Sequence, residues 1–260
     1  MGEADRIKFL GTAGARYVMA RQLRSSAGTL LHLGGKNVVL DPGPGTLARC
    51  AASRPKMDVT TLDAVIITHA HIDHSNDASV LIDAMTEGGT KKRGAVFAPA
   101  QCLDGPSAIL FSYLRGFPRQ VTPLEARARY ELDGLEFSTS QRHRHGVETY
   151  GIRFHRPAGD VAFVVDTAYF EALAESYKGS KVAVINVVLH KQDQSGRILH
   201  LSLPEAERLI REIEPRKAVL THFGMTMIRA KPWELAAEMS QRLGIEVTAA
   251  SDGRTIELNG

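Results

Sequence analysis

Short apolar runs and amphipathic helical patterns alternate along this sequence. Residues 62–68 and 217–221 are apolar runs with the length and composition typical of buried strands. A helical pattern follows each run, and the second one, at residues 233–243, ends before Gly244, a residue type that commonly terminates helices. Because the order of strand, loop and helix occurs twice, we expect two related halves.

The same pattern analysis predicts the remaining elements. The helix after the first run should begin after Ser75 or Asn76. Its apolar face consists of Ala78, Leu81, Ile82 and Met85. Further buried strands are predicted at residues 7–10, 38–40, 161–165 and 182–188. Asp-Gly pairs at 133–134 and 252–253 predict two hairpins. Since strands outnumber helices, we expect two packed sheets with helices on both outer faces.

The composition is typical of one globular domain over residues 1–260. Hydrophobic residues make up 43% of the chain and charged residues 23%, which excludes a disordered protein. No apolar run reaches the roughly 18 residues of a membrane-spanning helix. The first residues also lack the apolar segment of a signal peptide. We therefore expect a cytoplasmic protein without a membrane partner.

Charge and cysteine content narrow the classes further. Lys and Arg number 32 against 29 Asp and Glu, which is too small an excess for a dedicated nucleic-acid binder. The two cysteines, Cys50 and Cys102, form no C-x-x-C pair, so a disulfide framework or a thiolate zinc site is not expected. The ten histidines therefore carry the main functional signal.

One loop holds four potential metal ligands. His69, His71, Asp73 and His74 follow directly on the apolar run at residues 62–68. Imidazole is the commonest neutral metal ligand in proteins and Asp adds an anionic oxygen. A surface histidine-rich loop is the alternative, but this loop opens from a buried strand. We therefore predict that it supplies ligands to two neighbouring metal ions.

A single loop cannot complete two metal sites, so further ligands must come from elsewhere. His145, Asp166 and His222 each lie near the end of a predicted strand, where loops on a rigid sheet carry chemistry. His143 is the alternative to His145, because it lies two positions earlier on the same face of an extended chain. We take His145, Asp166 and His222 as the candidates that accompany the loop.

These residues resemble the metallo-β-lactamase superfamily, whose H-x-H-x-D-H signature is present as residues 69–74. The chain is most similar to the ribonuclease Z and cyclic-phosphodiesterase branch. Segments that carry this likeness are Phe9-Leu10-Gly11-Thr12, Leu40-Asp41-Pro42-Gly43-Pro44-Gly45, Tyr150-Gly151 after His145, and Leu220-Thr221-His222-Phe223. The resemblance implies a four-layer αββα sandwich, an α/β fold, and a hydrolase with two divalent metal ions.

The resemblance also implies roles for individual residues. One metal ion would be bound by His69, His71 and His145, the other by Asp73, His74 and His222, and Asp166 would bridge them. His145 is preferred over His143 because the Tyr-Gly pair follows it as in that branch. Asp41 would fix a ligand imidazole through its other nitrogen. Zinc suits these ligands, although iron or manganese would also suit a bridging Asp.

His200 precedes a helix that is clearly marked in the sequence. Ser202 and Glu205 form a capping box with Pro204 in the first turn. In the phosphodiesterase branch a histidine at this place is the general acid, so the resemblance assigns that role to His200. A histidine near a helix N-cap with a structural role is the alternative. Asp73 and His200 are thus the expected catalytic residues.

Two departures from the family pattern affect the expected substrate. Ribonuclease Z proteins that process transfer RNA carry a long Gly/Pro-rich arm before the bridging Asp, whereas residues 146–165 contain only Pro157 and Gly159 to resemble it. Val165 stands where a Gly is usual. We therefore expect a small-molecule or short nucleotide substrate, with no strong indication of transfer RNA binding. His32, His155 and His190 are expected to have ordinary packing roles.

The sequence thus predicts a metal-dependent hydrolase in which a dinuclear site activates a bridging water. The favoured reaction is hydrolysis of a small cyclic or RNA-derived phosphodiester. The alternatives are a carboxylic ester, thioester or lactone hydrolase of the same fold, and a binding or sensor protein that keeps the metals without turnover. The sequence carries no signal for an oligomeric state.

Overall fold

The structure is a computed structural model that describes residues 4–106 and 108–258. Within these residues the strands are β1 Arg6–Phe9, β2 Thr29–Leu33, β3 Lys36–Leu40, β4 Ala64–Ile66, β5 Ala95–Pro99, β6 Gln120–Leu124, β7 Arg129–Leu132, β8 Leu135–Thr139, β9 Ile152–Phe154, β10 Val161–Val164, β11 Val182–Asn186, β12 Lys217–Thr221, β13 Glu246–Ala249 and β14 Thr255–Glu257. The helices are α1 Ala15–Ala20, α2 Thr46–Ala52, α3 Ile72–Ser75, α4 Ala78–Met85, α5 Ala100–Leu103, α6 Leu203–Ile213, α7 Met225–Arg229 and α8 Pro232–Leu243. Short 3₁₀ turns lie at Val59–Thr61, Ser112–Gly116 and Leu173–Ser176. No helix in these residues is long and apolar enough to cross a membrane.

The strands form two sheets with the same plan. One sheet has the order β14-β1-β2-β3-β4-β5-β6 and the other β13-β12-β11-β10-β9-β8-β7. In the first sheet the pairs from β14 to β3 are antiparallel and those from β3 to β6 are parallel. In the second the pairs from β7 to β10 are antiparallel and those from β10 to β13 are parallel. This repetition agrees with the two related halves expected from the sequence.

Alternate residues of the central strands face different layers. In β3, Val38 and Leu40 pack in the core between the sheets, whereas Val39 packs against the helices of the first half. In β11, Val184 packs between the sheets and Ile185 against the helices of the second half. Each sheet therefore has one face on the other sheet and one face under helices. This is the predicted four-layer αββα sandwich.

Helix α6 begins where the sequence predicts and fixes the approach to the site. Ser202 is its N-cap, and the side chains of Ser202 and Glu205 form the reciprocal capping box. The backbone N–H of Leu203 also donates to the carbonyl oxygen of Leu189 over 2.8 Å. These contacts satisfy free N–H groups of the first turn. They also hold the chain that carries His200 in one position.

Two sequence predictions about local structure are wrong. The helix α4 has Asp77 as its N-cap residue, because Ser75 belongs to the short helix α3 and Asn76 is its C-cap. The 252–253 turn makes no hairpin, since β13 lies in the second sheet and β14 in the first. The side chain of Asp252 accepts hydrogen bonds from Thr12 and from the backbone of Ser25, which ties this turn to loops of the first sheet.

The 133–134 turn does form the predicted hairpin. Leu132 and Leu135, on either side of it, are paired between β7 and β8. Asp133 and Gly134 both have positive φ, at 45° and 90°, as a two-residue hairpin turn of this kind requires. The two Asp-Gly turns therefore differ in where the following strand pairs. After the first turn β8 pairs with β7, whereas after the second turn β14 pairs with β1 and not with β13. Ile256 of β14 packs between the sheets and draws that strand to β1.

Candidate metal centre

The predicted ligands meet where parallel strands of both sheets end. Asp41 follows β3 directly, and the loop that carries His69 follows β4, which is parallel to β3. Asp166 lies two residues after β10, and His222 follows β12 directly. His145 reaches the same place from the loop between β8 and β9. Rigid strands from the two halves thus place these side chains at one edge of the sandwich.

One group of potential ligand atoms lies around Asp166. His69, His71, His145 and Asp166 each offer an atom within 4.8 Å of the others. Asp166 Oδ2 is 3.7 Å from His69 Nε2 and 3.9 Å from His145 Nε2. Asp166 is 2% exposed, so its carboxylate is removed from bulk water.

A second group lies on the other side of the same carboxylate. Asp73, His74 and His222 also offer atoms within 4.8 Å of one another. His74 Nε2 lies 3.4 Å from Asp166 Oδ2, and Asp73 Oδ2 lies 3.6 Å from His222 Nε2. Asp166 Oδ2 is therefore close to ligand atoms of both groups. All seven residues proposed from the sequence are brought together.

Hydrogen bonds to Asp41 set which nitrogen of two histidines is free. Asp41 Oδ2 accepts the Nδ1–H of His74 over 2.9 Å and the hydroxyl of Thr68 over 2.7 Å. Because the Thr68 hydroxyl donates to Asp41, it accepts the Nδ1–H of His69, 3.0 Å away. Both rings therefore direct Nε2 towards the centre, where it is the nitrogen that a cation would bind. Asp41 thus has the orienting position expected from the sequence.

Within each group, two of the histidine nitrogens that face the centre lie close to one another. His74 Nε2 is 2.9 Å from His222 Nε2. His145 donates its Nδ1–H to the carbonyl oxygen of Leu199, which leaves its Nε2 3.0 Å from His71 Nδ1. Within the described chain, His69 Nε2 and His222 Nδ1 are buried without a hydrogen-bond partner. Since buried polar atoms are normally paired, this arrangement fits divalent cations between these rings.

A known family profile matches most of the chain. The profile described as "Beta-lactamase superfamily domain" matches residues 36–223, which include every candidate ligand. The chain belongs to the beta-lactamase superfamily. Members of this superfamily are metal-dependent hydrolases, so the metallo-β-lactamase resemblance and the hydrolase class expected from the sequence are confirmed.

Two curated proteins are similar to this chain over most of its length. An uncharacterised protein of Methanocaldococcus jannaschii is 29% identical over 259 residues, which cover 97% of this chain and 94% of that protein. Ribonuclease Z of Methanopyrus kandleri is 24% identical over 270 residues, which cover 90% of this chain and 92% of that protein. The likeness to ribonuclease Z inferred from the motifs is thereby confirmed.

Solved structures of the superfamily share the fold. The metallo-β-lactamase fold protein YhfI from Bacillus subtilis has a TM-score of 0.78 at 18% identity, and the match covers 98% of this chain and all of that one. A diphosphatase of the PhnP family has a TM-score of 0.71 at 19% identity, with 99% and 98% covered. At these identities the likeness concerns the fold alone.

Within this superfamily member, burial and charge act against each other on the pKa values of the centre. Burial raises the pKa of Asp166, but the neighbouring His222, His200 and His74 outweigh it and hold that pKa well below its usual range. Burial of His69 lowers the pKa of that ring, so it stays neutral. Burial also lowers the pKa of His74, but Asp166, Asp41 and Asp73 outweigh it and raise that pKa well above its usual range. Binding of a cation would therefore displace a proton from His74, whereas His69 is already neutral.

His143 lies outside both groups of ligands. Its Nε2 is 2.6 Å from the hydroxyl of Tyr177 and its Nδ1 is 3.2 Å from the backbone oxygen of Asp166. Burial lowers the pKa of His143 to about 4. The expectation that His143 and His145 share one face of an extended chain is wrong, because this segment lies outside the regular strands and the two rings point in different directions.

His200 lies at the rim of the centre. Its ring is 17% exposed, and its Nδ1 is 3.6 Å from Asp166 Oδ2. That nitrogen is buried without a hydrogen-bond partner in the described chain. The ring packs edge-on to His145, with centroids 5.1 Å apart, and stacks on His222 at 6.2 Å. His200 is therefore beside the metal ligands but not among the grouped ligand atoms.

Residues that sequence reasoning missed also shape the centre. The side-chain amide of Asn186 donates to Asp166 Oδ1 over 2.9 Å. An added Cβ at Gly14 would overlap the backbone oxygen and the Nδ1 of His222, and one at Gly43 would overlap the backbone oxygen of Asp73. Gly43 lies in the segment from Leu40 to Gly45 that carried the family resemblance, and Gly14 comes two residues after the segment Phe9-Leu10-Gly11-Thr12. Their role is to let the backbone approach the ligands closely.

Proposed function

We propose that this superfamily member is a phosphodiesterase with two divalent cations, most suitably zinc, that acts on a small cyclic or RNA-derived diester. The observation that carries the proposal is the position of His200. Among the described residues its buried Nδ1 has no hydrogen-bond partner, and it lies 3.6 Å from Asp166 Oδ2. A group at this distance from the shared carboxylate can reach an oxygen of a substrate held at the same centre.

The residues that would hold the cations are those described above. His69, His71 and His145 form one half, Asp73, His74 and His222 the other, and Asp166 is shared. When bound, two such cations lower the pKa of water and neutralise charge that develops on phosphoryl oxygens. The chain's part is to fix the ligand rings, and Asp41 does so through His74 directly and through Thr68 and His69.

His200 would donate a proton to the leaving oxygen of the diester. Its backbone is fixed by the capping box of α6 and by the contact between Leu189 and Leu203. A bound diester carries a negative charge, and a negative charge near an imidazole favours its protonated form. Two of the similar proteins bear names that refer to phosphate chemistry, a ribonuclease Z and a diphosphatase. These names support a phosphate ester over a carboxylic ester.

The test compares two leaving groups in the variant His200→Ala. An alkyl or ribose leaving group needs protonation, whereas a nitrophenyl leaving group hardly does, and general acid catalysis is worth about 10² to 10⁴ in rate. We expect kcat to fall by this factor on the alkyl diester and far less on the nitrophenyl diester, with both metals retained. The control is His155→Ala, because His155 is bound to Asp160 and Ser138.

Other outcomes would change the assignment. Equal losses on both diesters would indicate that His200 binds phosphate without donating a proton. Full activity on both would remove His200 from the mechanism. Wild-type protein should also be offered a phosphomonoester, a thioester and a lactone. Faster turnover of a thioester or lactone would favour the ester hydrolase, and no turnover of any substrate by the metal-loaded protein would favour a binding protein.

A further inference from the structure

His143 is a buried histidine whose two ring nitrogens both have partners. It is 3% exposed, and both partners, the Asp166 backbone oxygen and the Tyr177 hydroxyl, are uncharged. A carbonyl oxygen can only accept a hydrogen bond, so Nδ1 must carry the proton. Nε2 of the neutral ring is then an acceptor, and the Tyr177 hydroxyl donates to it over 2.6 Å.

Tyr177 is held in this position by the fold. It follows the 3₁₀ turn Leu173–Ser176 and is fully buried. Its hydroxyl lies against Gly151, where an added Cβ would overlap the oxygen. Gly151 is the second residue of the Tyr-Gly pair that follows His145. This glycine is therefore required by the hydroxyl of Tyr177.

We infer that His143 is a positioning residue for Asp166, and that Tyr177 acts on Asp166 through His143. The hydrogen bond to the backbone oxygen fixes the peptide of Asp166 just beyond the end of β10. Asn186 separately fixes the carboxylate of the same residue. This inference rests on the proposed metal centre, in which Asp166 is the shared ligand.

The shared position of Asp166 explains why its backbone needs a restraint. Oδ2 has to stay near three rings at once, at 3.7 Å from His69, 3.4 Å from His74 and 3.9 Å from His145. A rotation of the Asp166 peptide would move its Cβ and change all three distances together. Residues that orient metal ligands typically contribute about 10 to 100-fold to metal affinity.

The first measurement is the tautomer of His143 in metal-free wild-type protein. Nitrogen-15 NMR distinguishes a protonated ring nitrogen from a bare one. We expect the Nδ1–H tautomer at His143, because Asp166 supplies an acceptor there. The Nε2–H tautomer would overturn the inference, since His143 could then not donate to Asp166.

The second measurement is zinc affinity by competition with a chromophoric chelator in three variants. His143→Leu removes both hydrogen bonds. In His143→Asn the amide nitrogen stands near the place of Nδ1, and in His143→Gln the amide stands near the place of Nε2. We expect zinc affinity to fall about 10 to 100-fold in the Leu variant. The Asn variant should remain closer to wild type than the Gln variant, because only Asn can still donate to Asp166.

The matched control is His155→Leu, which also removes two hydrogen bonds of a partly buried histidine. We expect it to lower the melting temperature without changing zinc affinity. A folded His143→Leu protein with wild-type zinc affinity would overturn the inference, as would equal affinities in the Asn and Gln variants. If the Leu variant does not fold, the inference is tested by the zinc affinities of the Asn and Gln variants and by the tautomer of His143.

The outcomes separate this inference from the proposed function. If wild-type protein binds zinc and the His143 variants bind it with the same affinity, only the positioning role of His143 is refuted. Wild-type protein that binds no zinc at all would refute the proposed metal centre and this inference with it. Wild-type turnover of a diester with unchanged zinc affinity in the variants would leave the function intact and overturn the positioning role.

Discussion

The amide nitrogen of Asn186 lies 2.9 Å from Oδ1 of Asp166, and this same carboxylate oxygen lies 3.4 Å from Nδ1 of His222. Oδ2 is the oxygen that lies near His69, His74 and His145. An amide at the end of β11 thereby holds the buried carboxylate in one orientation, with Oδ2 towards these three rings and Oδ1 towards His222.

The variant Asn186→Leu should bind metal more weakly than wild type. It leaves Oδ1 of Asp166 without its donor, so the carboxylate can rotate, and we expect metal affinity to fall about 10 to 100-fold. The measurement is a competition titration with zinc. Asn76→Leu is the control, since Asn76 is exposed at the end of α3. Unchanged affinity in a folded Asn186→Leu protein would contradict the role of this hydrogen bond.

Purified protein should carry about two divalent cations per chain. Seven ligand side chains are more than a single ion uses, and they fall into two groups around Asp166. Asp166→Ala should lose at least one cation because both groups share this carboxylate. Elemental analysis of protein prepared without chelator gives the stoichiometry. A value at or below one in fully loaded wild-type protein would refute a dinuclear centre.

Substitution of Gly14 should damage the centre from outside the ligand set. In Gly14→Ala the new methyl group overlaps the backbone oxygen and the Nδ1 of His222, so His222 has to move. We expect loss of metal and a destabilisation of about 1 to 3 kcal/mol, typical of overpacking. Gly146→Ala is the control, because its methyl group would meet nothing within 4 Å although it adjoins His145. Similar metal content in both variants would show that Gly14 is not needed.

The two cysteines should not react with thiol reagents in the native protein. Burial, with Asp77 nearby, raises the pKa of Cys50 to about 11. Burial, with Asp41 and Glu148 nearby, raises the pKa of Cys102 to about 12. Both thiols are therefore protonated at pH 8, and the thiolate is the reactive form. Titration with a chromogenic disulfide should give no rapid reaction in buffer and two thiols per chain in denaturant. Rapid reaction of either cysteine in the native protein would contradict the prediction that both thiols are buried and protonated.

Transfer RNA precursors should be poor substrates compared with a small diester. Residues 146–165, where a tRNA-binding arm would be inserted, form the end of the loop before β9, the strands β9 and β10, and the short connection between these strands. This described stretch therefore contains no inserted basic arm whose phosphate contacts would supply affinity. Cleavage assays with a labelled precursor and a nitrophenyl diester test this. Efficient 3′ cleavage of the precursor would contradict the expectation.

Much of the fold could be predicted because buried strands have a strong sequence signal. The runs at residues 161–165 and 217–221 became β10 and β12, since Val and Ala cover both faces of those strands. Pairing partners were harder to predict. The turn at 252–253 fixes only a local reversal, while the partner of β14 depends on where Ile256 is buried.

The metal ligands could be predicted from the sequence, but the residues that orient these ligands could not. His69 to His74 are dense enough in the sequence to be recognised, but Asn186 is a single amide. A usable signal exists, because Asn186 ends a fully apolar strand just as Asp166 follows one. The choice between His143 and His145 needed the resemblance, since spacing alone cannot show that one ring meets Tyr177 and the other His71.

The pairing of β14 with β1 also has a consequence for folding during synthesis. Arg6 and Glu257 are partners in this pair, so the first sheet is completed by strands from opposite ends of the described chain. All strands of the second sheet leave the ribosome before residues 255–257 do. Until then β1 presents an unpaired edge, which is a template for pairing with other chains. The first of the described strands to be made therefore keeps an open edge until the last of them has been made.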